Sequence, residues 1–128
     1  MLIDKFVYLL RLKKDQWKKG RELKDIQLRK LKAIVRYAYD YVPYYHQLFK
    51  SAGFKPGDLK NRDDSKKIPI TTRKDLQRNY PNTITKGLDL SKQSSYYTSG
   101  STGTPLRVIK DKKAEACHYA NDIYTILE

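Results

Sequence analysis

Across residues 21–42 the apolar side chains Leu23, Ile26, Leu31, Ile34, Val35, Ala38 and Val42 recur at helical spacing, and Pro43 follows them. Such a stripe predicts a long helix obliged to lay one face on a core. The helix must end at the proline, whose ring pushes the preceding residue out of helical angles. Residues 44–52 read as a second, short helix closed by Gly53. Tyr37, Tyr39, Tyr41, Tyr44 and Tyr45 crowd this corner. Their expected use is packing at the helix junction, in preference to a stacking platform for nucleobases.

The rest of the chain falls on either side of this corner. Residues 3–17 carry Ile3, Phe6, Val7 and Leu10 at helical spacing with lysines opposite, and Gly20 breaks the pattern. A basic amphipathic helix of this kind packs on its own domain or makes a peripheral membrane contact, here through residues 1–20. Residues 54–61, with Pro56-Gly57, form a turn, and Ile68-Pro69-Ile70 is extended. Thr71 or Thr72 caps a helix over residues 73–79, with Asp75 in its first turn, and Pro81 stops it. Residues 82–92 read as irregular. Residues 94–97 and 106–109 read as strands. Asp111 caps a final helix with Ala116, Ala120, Ile123 and Leu127 along one side. That helix meets the last residue without a stop signal, so a truncated chain is expected.

Composition narrows the function classes. At 128 residues the chain suits one small domain. No apolar run approaches the ~20 residues of a membrane-spanning helix, and the opening segment lacks a signal-peptide pattern. A single cysteine, Cys117, excludes an internal disulfide, and two histidines, His46 and His118, give no metal-ligand spacing. A cytoplasmic location is the default. Of the net charge of +13, +8 accumulates before Tyr37, from twelve basic and four acidic residues. A nucleic-acid or anionic-lipid surface is one reading of this imbalance. A solvated helix face is the other, and no specific nucleic acid is expected, because the basic residues are not interleaved with a recognition motif.

The chemistry concentrates in Thr98-Ser99-Gly100-Ser101-Thr102-Gly103-Thr104-Pro105, between the two strands. Gly100 and Gly103 allow sharp turns and a close backbone approach. Consecutive amides in such a turn form an anion-binding concavity, and Ser99, Ser101, Thr102 and Thr104 add hydroxyl donors. A polyphosphate suits this set, with Arg107 and Lys110 as nearby cations. The loop lacks the lysine of a Walker motif, and it leads into a strand where a dinucleotide fingerprint leads into a helix. On composition alone, a plain hairpin connection is the favoured reading.

Residues 98–105 resemble the phosphate-binding signature of the adenylate-forming (AMP-binding) superfamily. Within it the chain is similar to the phenylacetate–CoA ligase family and its relatives in capsular polysaccharide biosynthesis. Three further ordered segments carry the resemblance: residues 31–46 with Tyr37-Ala38-Tyr39 and Val42-Pro43-Tyr44-Tyr45, then residues 68–76, then Asn79-Tyr80-Pro81. Many members of the superfamily carry lysine after the loop proline, and here Leu106 stands there.

The resemblance implies an α/β fold of which this chain is a fragment, its N-terminal helices followed by the first strands of the large domain. The boundaries expected are 1–20 for the basic helix, 21–92 for a helical region and 93–128 for the start of the AMP-binding domain. It also implies a small carboxylic acid attacking the α-phosphorus of ATP held with Mg2+, and coenzyme A as the acceptor. Thr98, Ser99, Gly100, Ser101, Thr102, Gly103 and Thr104 would hold the outer phosphates. No catalytic residue and no metal ligand can be assigned in these 128 residues. A nucleic-acid- or membrane-binding module and an inactive gene product are the alternatives. The purified chain is therefore expected to form no acyl-adenylate from ATP and a carboxylic acid; adenylate detected by mass spectrometry would overturn that expectation.

Overall fold

The computed structural model describes residues 2–99 and 103–127. Among these the elements are α1 (Leu2–Gln16), α2 (Gly20–Tyr41), α3 (Pro43–Ser51), α4 (Arg73–Arg78), β1 (Ser94–Tyr97), β2 (Arg107–Lys110) and α5 (Lys112–Leu127). Short 3-10 turns cover Pro56–Asp58, Asp63–Lys67 and Leu90–Lys92. The result is an α/β arrangement, mostly helical, with one antiparallel hairpin. Two compact units form, Lys24–Leu88 and Met1–Leu23 with Asp89–Glu128.

The unit Lys24–Leu88 is built on the proline corner. Pro43 is the first residue of α3, where its missing N–H costs nothing and its fixed φ starts the helix. The turn folds α3 back so that Phe49 meets Val35 in a core completed by Phe54 and Leu59. Gly53, at φ +66°, supplies the left-handed residue that ends α3. The chain then reverses: the N–H of Phe54 donates to the carbonyl of Phe49 at 2.9 Å, and the two rings meet edge-on at 5.3 Å. Tyr39 and Tyr45 pack against this core, while Tyr37 and Tyr41 lie exposed beside each other at 5.0 Å. The tyrosines thus divide between core and surface.

One member of the expected apolar stripe faces outward. Ile34 is 60% exposed while its neighbour Val35 is buried, as a step of about 100° per residue requires. Leu28 takes the inward place beside Leu31.

The irregular stretch after α4 is tied to the same corner. The N–H of Lys86 donates to the carbonyl of Tyr41 at 2.9 Å, and the N–H of Tyr44 donates to that of Asn82 at 3.0 Å. Both are helix-end groups that lack intrahelical partners. The hydroxyl of Tyr37 adds a bond to that of Thr85 at 3.1 Å. Thr72 caps α4 reciprocally with Asp75: the Asp75 N–H donates to the threonine hydroxyl at 3.2 Å, and the Thr72 N–H donates to the carboxylate at 2.9 Å.

A buried carboxylate stands in the 3-10 turn that follows Leu59. Asp64, 8% exposed, accepts from the N–H groups of Lys60 and Asn61 at 2.9 and 2.8 Å. Its other oxygen meets the Lys67 ammonium at 2.7 Å. The Lys67 hydrogen bond, then the backbone donors, hold its pKa down to about 2.

In the second unit α1 packs along α5. Ala116 and Ala120, both buried, keep the α5 surface low where α1 crosses. The hydroxyl of Tyr124 donates to the Gln16 side chain, and the Lys5 ammonium lies 3.8 Å from the centre of the Tyr119 ring. Asp111 caps α5, accepting from the N–H of Ala114 at 2.7 Å. The side chain of Leu127 lies outside the described residues.

Asp64 generates a pH prediction. Its folded pKa of about 2 lies below the ordinary 3.8. The stability it contributes is therefore complete above the unfolded value and is lost as pH falls through the folded one. Asp75 is also lowered, first by its bond from the Thr72 hydroxyl, so the informative quantity is a difference. Urea midpoints of the native chain and Asp64→Asn are expected to differ at neutral pH and to converge between about pH 4 and pH 2. A gap that stays constant with pH would contradict this role.

Candidate functional site

The hairpin positions the loop by its register. Ser94 pairs with Lys110, Ser95 with Ile109, Tyr96 with Val108 and Tyr97 with Arg107. One more step brings Thr98 opposite Leu106. There the Thr98 N–H donates to the Leu106 carbonyl at 3.0 Å, and the Leu106 N–H donates to the Thr98 hydroxyl oxygen at 3.0 Å. The second strand lies one residue later than the sequence pattern suggests, because Leu106 serves the closure.

Thr98 is thus a strut at the base of the loop. Its hydroxyl oxygen is engaged with backbone, so its first duty is to close the turn. Ser99 and Thr104 are exposed on the two limbs of the loop. Gly103 adopts φ +135°, and a methyl group there would meet no atom within 4 Å. The requirement for glycine is therefore conformational: only a residue without Cβ adopts this angle at low cost. Gly100, Ser101 and Thr102 lie outside the described residues.

The two expected cations have different fates. Arg107 stands in the pair next to the loop, and its Nε donates to the Ser95 hydroxyl at 2.7 Å. Lys110 pairs with Ser94 at the opposite end of the hairpin, about 10 Å further along at strand spacing. Its ammonium lies over the Tyr96 ring, 4.8 Å from the centre. By register, then, Arg107 stands nearer the loop base than Lys110 does.

Beside the loop base lies an open cleft of about 550 Å³, lined in part by Lys5, Tyr96, Thr98, Lys110, Glu115 and Tyr119. The Tyr96 hydroxyl donates to Glu115, which raises the tyrosine pKa above its ordinary value. Glu115 is held below the usual carboxylate range, by the Ser94 hydroxyl first and by Tyr96 second. Ser94, Tyr96 and Glu115 escape a sequence reading, since nothing in the local pattern joins residues 19 positions apart. Among the described residues, no three His, Cys, Asp or Glu side chains gather as a metal site.

The closure is open to a direct measurement. Thr98→Val keeps the shape and removes the acceptor for the Leu106 N–H. It is expected to weaken local closure by about 1 kcal/mol. Amide exchange at Leu106 should quicken several-fold, while amides of the Phe49 core keep their protection. Unaltered exchange at Leu106 would show that the hydroxyl does not hold the loop.

No family model matches the chain. Individual proteins do. The phenylacetate–coenzyme A ligase of Aromatoleum evansii is 39% identical over 84 residues, 66% of this chain and 19% of that protein. The enzyme of the same name from Escherichia coli K12 is 42% identical over 60 residues, 47% of this chain and 14% of that protein. The chain thus spans about a fifth or less of the length of these relatives. A solved structure of 2-hydroxyisobutyryl-CoA ligase, in complex with 2-HIB-AMP and CoA in the thioesterification state, superposes with a TM-score of 0.64. It is 24% identical, and the match covers 74% of this chain and 21% of that one, which establishes the fold. In sequence the chain is similar to part of the phenylacetate–coenzyme A ligases, and in fold to part of 2-hydroxyisobutyryl-CoA ligase.

Proposed function

We propose that this chain carries the phosphate-holding part of an ATP-dependent acid–coenzyme A ligase. The observation that supports it most strongly is the conjunction of the 39% identity over 84 residues with a serine- and threonine-rich loop closed by Thr98 at its base. Ser99, Ser101, Thr102 and Thr104 would hold the outer phosphates of ATP through their hydroxyls. Gly100 and Gly103 would bring backbone N–H groups close to the same oxygens. Such donors act by being in place before charge develops, so that no reorganisation is needed when pyrophosphate departs. Thr98 serves by fixing where the limbs of the loop begin.

In this reading the substrate is a small carboxylic acid, ATP acts as its magnesium complex, and coenzyme A accepts the acyl group. No described residue is assigned to the metal, to the adenine or to acyl transfer. An arylacetate is favoured as the acid by the named relatives. The capsular-polysaccharide type rests on the resemblance of the four sequence segments alone, as does a cytoplasmic setting on the single cysteine.

The test is a chimera in which this chain replaces the matching segment of the Aromatoleum evansii enzyme. It is expected to catalyse phenylacetate-dependent exchange of pyrophosphate into ATP. The Ser101→Ala, Thr102→Ala double variant should lower that exchange about a hundredfold. Undiminished exchange in the variant would remove the loop from the mechanism. A well-folded chimera without exchange would remove the ligase reading itself.

A further inference from the structure

Helix α1 has two apolar faces, and the fold uses one of them. Tyr8, Leu9 and Leu12 are half-buried and fall within an arc of about 100°, the side on which α1 packs along α5. Ile3, Phe6, Val7 and Leu10 fall within a second arc of about 100°, whose Ile3–Phe6 edge borders α5 across a groove, and all four are exposed, Ile3 to 77%. Trp17, one residue beyond the helix and 83% exposed, continues that line. Five large apolar side chains in one stripe exceed what scattered surface residues explain.

The surroundings of the stripe indicate its partner. Lys13 and Arg11 border it, Lys14 stands within it one turn on, and all three are exposed. Asp15 is neutralised by its ion pair with Lys18. At the amino-terminal end, Ile3, Phe6 and Leu9 face Ala120 and Ile123 of α5 across an apolar groove of about 400 Å³ with Lys5 among its lining residues. A second copy of the chain is a poor occupant, because each copy carries a net charge of +13. A nucleic acid would satisfy the cations and leave Ile3 and Leu10 in water. A surface that is anionic at its head groups and apolar a few ångströms beneath them satisfies both features.

We propose that the outward face of α1 is a peripheral docking surface for anionic lipid bilayers. Ile3, Phe6, Val7, Leu10 and Trp17 enter the interface, with Arg11, Lys13 and Lys14 among the head groups and α5 holding the helix parallel to the membrane plane. No helix among the described residues is long and apolar enough to cross a membrane, so the contact is interfacial. The proposal stands independently of the ligase reading.

The chain contains its own reporter, since Trp17 is its single tryptophan. The whole 128-residue chain would be mixed with vesicles of phosphatidylcholine alone and with vesicles containing about one quarter phosphatidylglycerol. Sedimentation and Trp17 emission are then read together. The expected result is binding to the anionic vesicles at least about tenfold tighter than to the neutral ones, with Trp17 emission moving to shorter wavelength. Phe6→Ser with Leu10→Ser, two exposed positions, should abolish the emission shift and weaken binding about tenfold while circular dichroism stays unchanged. Lys13→Glu with Lys14→Glu should remove the preference for anionic lipid. Absence of binding by the unmodified chain would overturn the proposal. So would binding without an emission shift, which marks mere attraction of cations to a charged surface. A dimer in lipid-free buffer that Phe6→Ser with Leu10→Ser dissolves would assign the face to a second copy instead.

Discussion

The two hydrogen bonds between Thr98 and Leu106 define where the hairpin stops and the loop begins. A two-stranded ribbon has little surface of its own to bury and is marginal without further support. Here support comes from both ends. At one end the threonine supplies a donor through its backbone and an acceptor through its side chain, so neither Leu106 group is left unpaired. At the other, Lys110 lies over Tyr96 and Tyr96 reaches Glu115 on α5. Everything proposed for the loop depends on this closure, since hydroxyls that hold a phosphate must first be held themselves.

The same economy runs through the unit Lys24–Leu88. Its fully buried apolar cluster is small, with Val35, Phe49, Phe54 and Leu59 at the centre. Short polar side chains complete the turns around it. Asp64 gathers two backbone donors and an ammonium, and Thr72 and Asp75 cap each other's backbone. A donor left unpaired in such a turn would cost on the order of 1–3 kcal/mol, a large share of the stability of a small domain. The buried carboxylate is therefore a part of the architecture. Its ionisation also makes this unit sensitive to acid.

Charge in this protein has a geometry that a count hides. The amino-terminal excess of lysine and arginine reads as a uniform basic face in one dimension. In the fold, α1 interleaves part of it with an apolar stripe. Lys5 and Lys110 are drawn onto tyrosine rings, and Lys67 serves Asp64. Cations that a net charge adds together therefore have unrelated roles.

Local rules were enough to place the helices, the corner at Pro43, the caps at Thr72 and Asp111 and the loop between two strands. Each follows from φ restriction, side-chain period or the reach of a short polar side chain to a nearby N–H. Residues 98–105 stood out as a connection rich in glycine and hydroxyl side chains for the same reason, although Gly100, Ser101 and Thr102 lie outside the described residues. Tertiary structure alone decided which members of an apolar stripe are covered. Ile34 and Val35 are equally apolar and adjacent, and only the position of Phe49 determines that Val35 is covered. It alone made Thr98 a strut, set Lys110 over the Tyr96 ring and left one apolar side of α1 uncovered. These outcomes depend on what stands opposite a residue in space, and a one-dimensional pattern records only what stands beside it in the chain.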